Sequence, residues 1–169
     1  MIESLALRIA THIKSTIPDH PASVAVLKHS LSIVLNVLFI VCLTLSAALI
    51  TDKVNEVSLM LVMFAILRQM TGGIHLKTGI GCVLVTSFAC TVLSFITLSY
   101  NLSIWATILS IVLIFIYAPS RIEKQSRIPK RYYPLLKILA VILVGTNLIF
   151  ASSILAISFL TQSITLIRR

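Results

Sequence analysis

Acidic residues are scarce in this 169-residue chain: Glu3, Asp19, Asp52, Glu56 and Glu123 are all it has, and none lies inside a long apolar run. That scarcity argues against paired-carboxylate hydrolysis and against acidic metal sites at membrane depth. The lack of an Asp-rich motif argues equally against a magnesium-dependent lipid transferase. No Walker loop is present to cradle nucleotide phosphates. Cysteine is rare too: Cys42, Cys82 and Cys90 make an odd count with no metal-ligand spacing, so neither a disulfide framework nor a zinc site is expected. Neither a metal nor a cofactor is called for. Charged residues of either sign make up only 11% of the chain, against about a quarter in soluble domains.

What fills the chain instead is apolar, 58% of it. A chain of this length has no interior large enough to hold that excess, so lipid is the expected solvent. Residues 30–50, "SLSIVLNVLFIVCLTLSAALI", carry no charge over 21 positions, enough to cross a bilayer as a helix. This first run follows 29 mixed residues and spans a full bilayer width, which does not read as a cleavable signal peptide. Residues 57–67 are apolar but short; 80–98 and 102–118 are further uncharged spans. Residues 138–167 read as one long helix or, better, as two short spans turning near Ser152. The expectation is an all-α, polytopic membrane bundle with six transmembrane helices, forming a single integral membrane domain over 1–169.

Residues 1–29 are expected to form an amphipathic interfacial region ahead of the 30–169 bundle. In "MIESLALRIATHIKSTI", Ile2, Leu5, Ala6, Ile9, Ile13 and Ile17 share one helical face, and Arg8, His12 and Lys14 lie off it. Such a helix either lies on the membrane surface or packs on the protein's own bundle. Pro18 and Pro21 end it.

The net charge of +9 raises the possibility of nucleic acid, but the basic residues sit between apolar runs, the positive-inside pattern of membrane proteins. No nucleic-acid partner is expected. By this rule both termini, the 68–82 segment and the 119–137 stretch face the cytoplasm, with 51–56, 99–101 and the turn near 152 outside. The basic stretch has two readings that are compatible: a topology signal near anionic lipid, and a dock for an acidic substrate tail through Lys130 and Arg131.

One segment carries chemistry. In "RQMTGGIHLKTGIGC", Arg68 to Cys82, fall four of the five glycines (Gly72, Gly73, Gly79, Gly81), together with His75 and Cys82. A thiolate is a strong nucleophile when an imidazole takes its proton. On one continuous helix, His75 and Cys82 would be separated by a rise of about 10 Å, too far for the roughly 3 Å contact of a dyad. Gly72 and Gly73 allow the chain to leave one helix, and Gly79 and Gly81 allow it to bend back before the next. The bland alternative is a glycine-rich turn with a loop histidine and a small apolar cysteine. Backbone amides of Gly81 or Cys82 at the helix start are the expected oxyanion donors. Cys42 and Cys90, mid-span, read as packing residues. His12, His20 and His29 read as solvated, and Asn36, Asn147 and Gln162 as hydrogen-bonding groups between helices.

The run Arg68-x3-Gly72-Gly73-x-His75-x6-Cys82 resembles the signature of the accessory gene regulator B (AgrB) family, bacterial membrane cysteine endopeptidases that process precursors of cyclic autoinducing peptides. "YAPSRIEKQSRIPKRYYPLLK", residues 117–137, is similar to that family's Tyr/Phe-Ala-Pro and basic loop. The sequence departs from the family pattern at Ile74, usually aromatic, and in the middle of "RQMTGG". The resemblance implies Cys82 as nucleophile and His75 as general base, with Arg68, Gly72 and Gly73 supporting. It implies a small amphipathic precursor peptide as substrate, a location in the bacterial cell membrane, and a bundle able to form a homodimer. Two other classes compete: a small transporter or exporter subunit with a glycine-broken helix, and a catalytically silent scaffold.

Overall fold

The computed structural model describes residues 2–19, 21–74, 78–122 and 128–167. Among these the chain is helical, in the order α1 (Ile2–Thr16), α2 (Val24–Ile50), α3 (Val54–Thr71), α4 (Gly79–Leu93) and α5 (Tyr100–Tyr117). A 3-10 turn, Lys130–Tyr132, then leads into α6 (Tyr133–Gly145), the short α7 (Asn147–Phe150) and α8 (Ser153–Ile164). Four stretches are long and apolar enough to cross a membrane: α2, α3, α5 and the 21-residue stretch Lys130–Phe150. The apolar helices α4 and α8 are shorter, at 15 and 12 residues, below the roughly 20 that a straight crossing uses. Large apolar side chains face outward all around, among them Phe88, Trp105, Phe115 and Ile149. That is the inside-out surface of a protein whose solvent is lipid.

Helix α1 packs on the bundle, the second of the two placements left open by its amphipathic pattern. Ile2, Ala6 and Ala10, spaced four apart, are buried against α2 and α4. Two of the three are alanines, which let the helix axes approach closely, while Leu5 and Leu7 stay exposed. Glu3 pairs with Lys28 of α2 at 3.8 Å.

Helix α2 begins earlier than its uncharged run because the Ser23 hydroxyl caps it, accepting from the Val26 amide at 3.3 Å. Helix α4 ends before the expected 98. The amide of Leu98 instead donates to the Ser153 hydroxyl at 2.7 Å, tying this connection to the start of α8. The expected turn near Ser152 is present. Ala151 adopts left-handed backbone, φ 47°, and the Asn147 side chain closes the turn by accepting from the Ser152 amide at 2.9 Å. The other end of that side chain donates to the Thr107 hydroxyl of α5 at 2.9 Å.

Two apolar clusters hold the helices. One joins Ala48, Val57, Met60, Leu61, Cys90 and Ile157 across α2, α3, α4 and α8. The other gathers Leu67, Ile114, Ala140, Val144, Phe159 and Leu166 from α3, α5, α6 and the end of α8. The second cluster lies at the end of α3 where the chain departs toward the glycines.

Asn147 is fully buried and bonds at both ends of its side chain, so Asn147→Ala should destabilise the bundle by about 1–3 kcal/mol by leaving the Ser152 amide and the Thr107 hydroxyl without their partner. The exposed Asn101→Ala serves as control. Thermal unfolding in detergent checks this: equal midpoints for the two variants would refute it.

Candidate active site

Helix α3 stops at Gly72 because that residue takes φ 74°, ψ −138°, a region closed to residues with a Cβ. A Cβ there would sit 2.1 Å from the carbonyl oxygen of Ser120. The chain makes that approach for two hydrogen bonds: Gly73 N–H donates to Ser120 O, and Ser120 N–H donates to Thr71 O, each at 2.8 Å. Gly73 follows at φ 127°, and a Cβ on it would meet the Thr165 hydroxyl at 2.6 Å. Both glycines are therefore demanded by close approach as well as by the turn.

Gly79 and Gly81, expected where the chain bends back, are themselves helical in the first turn of α4, while Gly72 and Gly73 take positive φ at the exit from α3. Thr78 starts α4, its hydroxyl accepting from the Gly81 amide at 3.2 Å and its carbonyl from the Cys82 amide at 3.1 Å. Those bonds also withdraw the two amides expected as oxyanion donors. By helix geometry Gly79 and Ile80 are left with outward-pointing first-turn amides. Gly79 lies in a tight spot, where a Cβ would touch Asn36 Oδ1 at 3.4 Å and Ile2 at 3.5 Å. That Asn36 oxygen is buried without a hydrogen-bond partner, unlike the inter-helix bonding expected of it.

Cys82 is buried on α4, 8% exposed. Near the end of α3, Arg68 is partly buried. Its guanidinium donates to the Ile74 carbonyl at 2.5 Å and stands over the Phe64 ring at 5.8 Å. The fold thus brings Arg68 and Ile74 together at the glycine exit. His75 lies outside the described residues, so the expected His75–Cys82 pair is not part of the described geometry. Lys130 and Arg131 stand apart on the exposed 3-10 turn, Arg131 over its neighbour Tyr132 at 4.8 Å. Cys42 is exposed, and Cys90 packs in the first apolar cluster.

Of the groups that hold this corner, sequence reasoning singled out Gln162 as an inter-helix hydrogen-bonding group, but not its partners, Thr165 or Ser120. Gln162 donates to the Gly72 carbonyl at 2.7 Å and to the Thr71 hydroxyl at 3.1 Å. The Ile74 amide donates to the Thr165 carbonyl at 3.1 Å. Only Thr78 left a local signal, as a capping residue ahead of an apolar run. A cavity of about 710 Å³ between α1, α2 and α4 is lined in part by Ile2, Arg8, Phe39, Ile80 and Leu84, but not by Cys82. Among the described residues no group of three or more His, Cys, Asp or Glu side chains converges to hold a metal ion.

The family model for accessory gene regulator B matches residues 6–167, taking in the whole of this corner and the bundle around it. The chain belongs to the AgrB family. A putative AgrB-like protein of Halalkalibacterium halodurans is 32% identical over 120 residues, covering 70% of this chain. The matched region spans 61% of that relative's length. No solved structure matches. Arg68, Gly72, Gly73 and Cys82 all lie within the region that matches AgrB.

The glycine geometry makes a graded prediction. Gly72→Ala should cost at least about 3 kcal/mol, from backbone strain and overlap with fixed backbone. Gly145→Ala, with nothing within 4 Å of the new methyl, should be neutral or stabilising by up to about 1 kcal/mol. Protease resistance of the two variants, titrated side by side in detergent, should separate them widely; similar resistance would contradict the described turn.

Proposed function

We propose that this chain is an integral membrane cysteine endopeptidase that releases a cyclic peptide signal from a small amphipathic precursor. The observation that supports the reading is the hydrogen-bonded exit at Gly72 and Gly73, which brings the Arg68 guanidinium onto the Ile74 carbonyl shortly ahead of the helix that carries Cys82. Family membership supports it at the level of peptide processing in quorum sensing.

In this mechanism the Cys82 thiolate attacks a precursor carbonyl and His75 holds the thiol proton. The tetrahedral intermediate collapses as His75 gives that proton to the leaving amine, and the C-terminal fragment departs. The acyl group now sits on Cys82 as a thioester. A cysteine thiol or serine hydroxyl within the precursor attacks it, closes a thiolactone or lactone ring, and returns the sulfur to Cys82. The first-turn amides of Gly79 and Ile80 are the donors left for the oxyanion.

The membrane sets the direction of access. Lysine and arginine bias places both termini, the glycine segment and the basic 119–137 stretch on the cytoplasmic side of the bacterial cell membrane. The precursor enters from there, and Lys130 and Arg131 meet its acidic tail. A second copy of the chain can pair through the lipid-facing surface.

Two experiments test this. Cys82→Ala should abolish cleavage of the partner precursor, while Cys42→Ala and Cys90→Ala should retain it. Full processing by Cys82→Ala, read by mass spectrometry, would sink the mechanism. Replacing Lys130 and Arg131 together with Gln should raise KM several-fold with kcat nearly unchanged, because the contact is the same in ground and transition states. That difference should shrink as salt rises. A fall in kcat at constant KM would instead place these residues in the chemistry.

A further inference from the structure

The cavity between α1, α2 and α4 takes no part in the corner at the glycine exit. It holds about 710 Å³, within the roughly 300–1,000 Å³ of pockets that enclose small ligands. Its walls are hydrocarbon: Leu5 from α1, Phe39 and Leu43 from α2, and Ile80, Val83 and Leu84 from α4. Among the lining residues Arg8 alone is charged, and no acidic side chain is there to meet it. Glu3, the acid of the same helix, pairs with Lys28 at 3.8 Å. The other ion pair among the described residues joins Lys53 to Glu56, so Arg8 has no anion of its own.

The cavity is polarised along its length. Helices α1 and α2 are joined within residues 17–23 and pack on each other, so they run in opposite directions and Arg8 lies toward the start of α2. Helix α4 runs the same way as α2, with Gly79 beside Asn36 and Ser87 bonded to Thr44 at 2.9 Å. From Phe39 to Ser46 the α2 wall climbs about 10 Å. A cation therefore stands at one end, and a hydrocarbon slot leads away from it between helices whose outer faces are apolar.

We propose that this cavity binds one acyl chain of an anionic phospholipid, with the headgroup phosphate on Arg8. An acyl chain has no polar groups to satisfy, which suits walls that offer only the Ser46 hydroxyl beyond the end held by Ser4 and Arg8. A peptide fits less well. Extended backbone would leave amides and carbonyls unpaired against hydrocarbon. A helix about 10 Å wide would fill the 710 Å³ in about two turns. The inference does not depend on the peptidase reading, because Cys82 does not line the cavity.

The experiment uses the full chain in nanodiscs and places a fluorescent reporter in the slot by Phe39→Trp, with Trp105→Phe removing the one native tryptophan. Lipids brominated in the tail are the quenchers. Brominated phosphatidylglycerol should half-quench the reporter at a mole fraction roughly three- to five-fold below brominated phosphatidylcholine, the scale of one basic side chain against an anionic headgroup. Arg8→Gln should bring the two lipids together. Lys14→Gln removes the same charge from the same helix but outside the lining, and should leave the preference in place. If Arg8→Gln fails to fold, salt carries the test: the preference should fall by at least about half between roughly 0.1 and 1 M. Equal quenching by the two lipids overturns the proposal, as does a preference that survives Arg8→Gln or high salt. A reporter that neither lipid quenches would mean that protein fills the slot, and overturns it as well. So does emission that shifts to the blue on adding an acidic amphipathic peptide without any headgroup preference.

Discussion

Backbone that leaves a helix within a membrane protein must find its hydrogen bonds in the protein, because lipid supplies none. At the end of α3 that requirement governs the surroundings. The Thr71 carbonyl, the Gly73 amide, the Gly72 carbonyl and both polar groups of Ile74 are satisfied by Ser120, Gln162, Thr165 and Arg68. These partners come from three parts of the fold. The turn after α5, the end of α8 and the last turn of α3 converge because the glycine exit needs them, and the apolar cluster of Leu67, Ile114, Phe159 and Leu166 packs where they meet.

The same requirement explains why a cation stands at this depth. A guanidinium in an apolar bundle needs acceptors, and the departing chain offers one in the Ile74 carbonyl. Satisfaction of the backbone and of the buried cation are therefore one arrangement. Phe64, one turn back on α3, shields the other face of the guanidinium.

How much of this could be read from the residues follows from how local each cause is. The long apolar runs, the turn at Ser152 and the interruption at Gly72–Gly73 are written in adjacent positions, and the structure has them. The roles of Gly79 and Gly81 were misjudged because a glycine count does not separate a helix start from a bend. What separates them is Thr78, whose hydroxyl and carbonyl both turn into α4. The early end of α4 depends on Ser153, and the glycine exit on Gln162, partners 55 and 90 positions away. No window on the sequence connects such pairs. Gln162 was legible as a polar group among apolar ones, but its partner was not. Arg68 was legible as a motif position; that its guanidinium bonds the Ile74 carbonyl came only with the fold.

The reach of α8 has a consequence for the order in which the protein comes into being. Helices emerge from the ribosome in sequence, and α3 with its glycine exit is made well before the residues that complete it. At synthesis rates of about 5–20 residues per second, the gap of 90 positions between Gly72 and Gln162 lasts roughly 5–20 s. During that interval α3 and α4 are already present while the α8 residues that complete the glycine exit are not. The backbone that leaves α3 must therefore wait for the end of the chain before Gln162 and Thr165 can take up its hydrogen bonds.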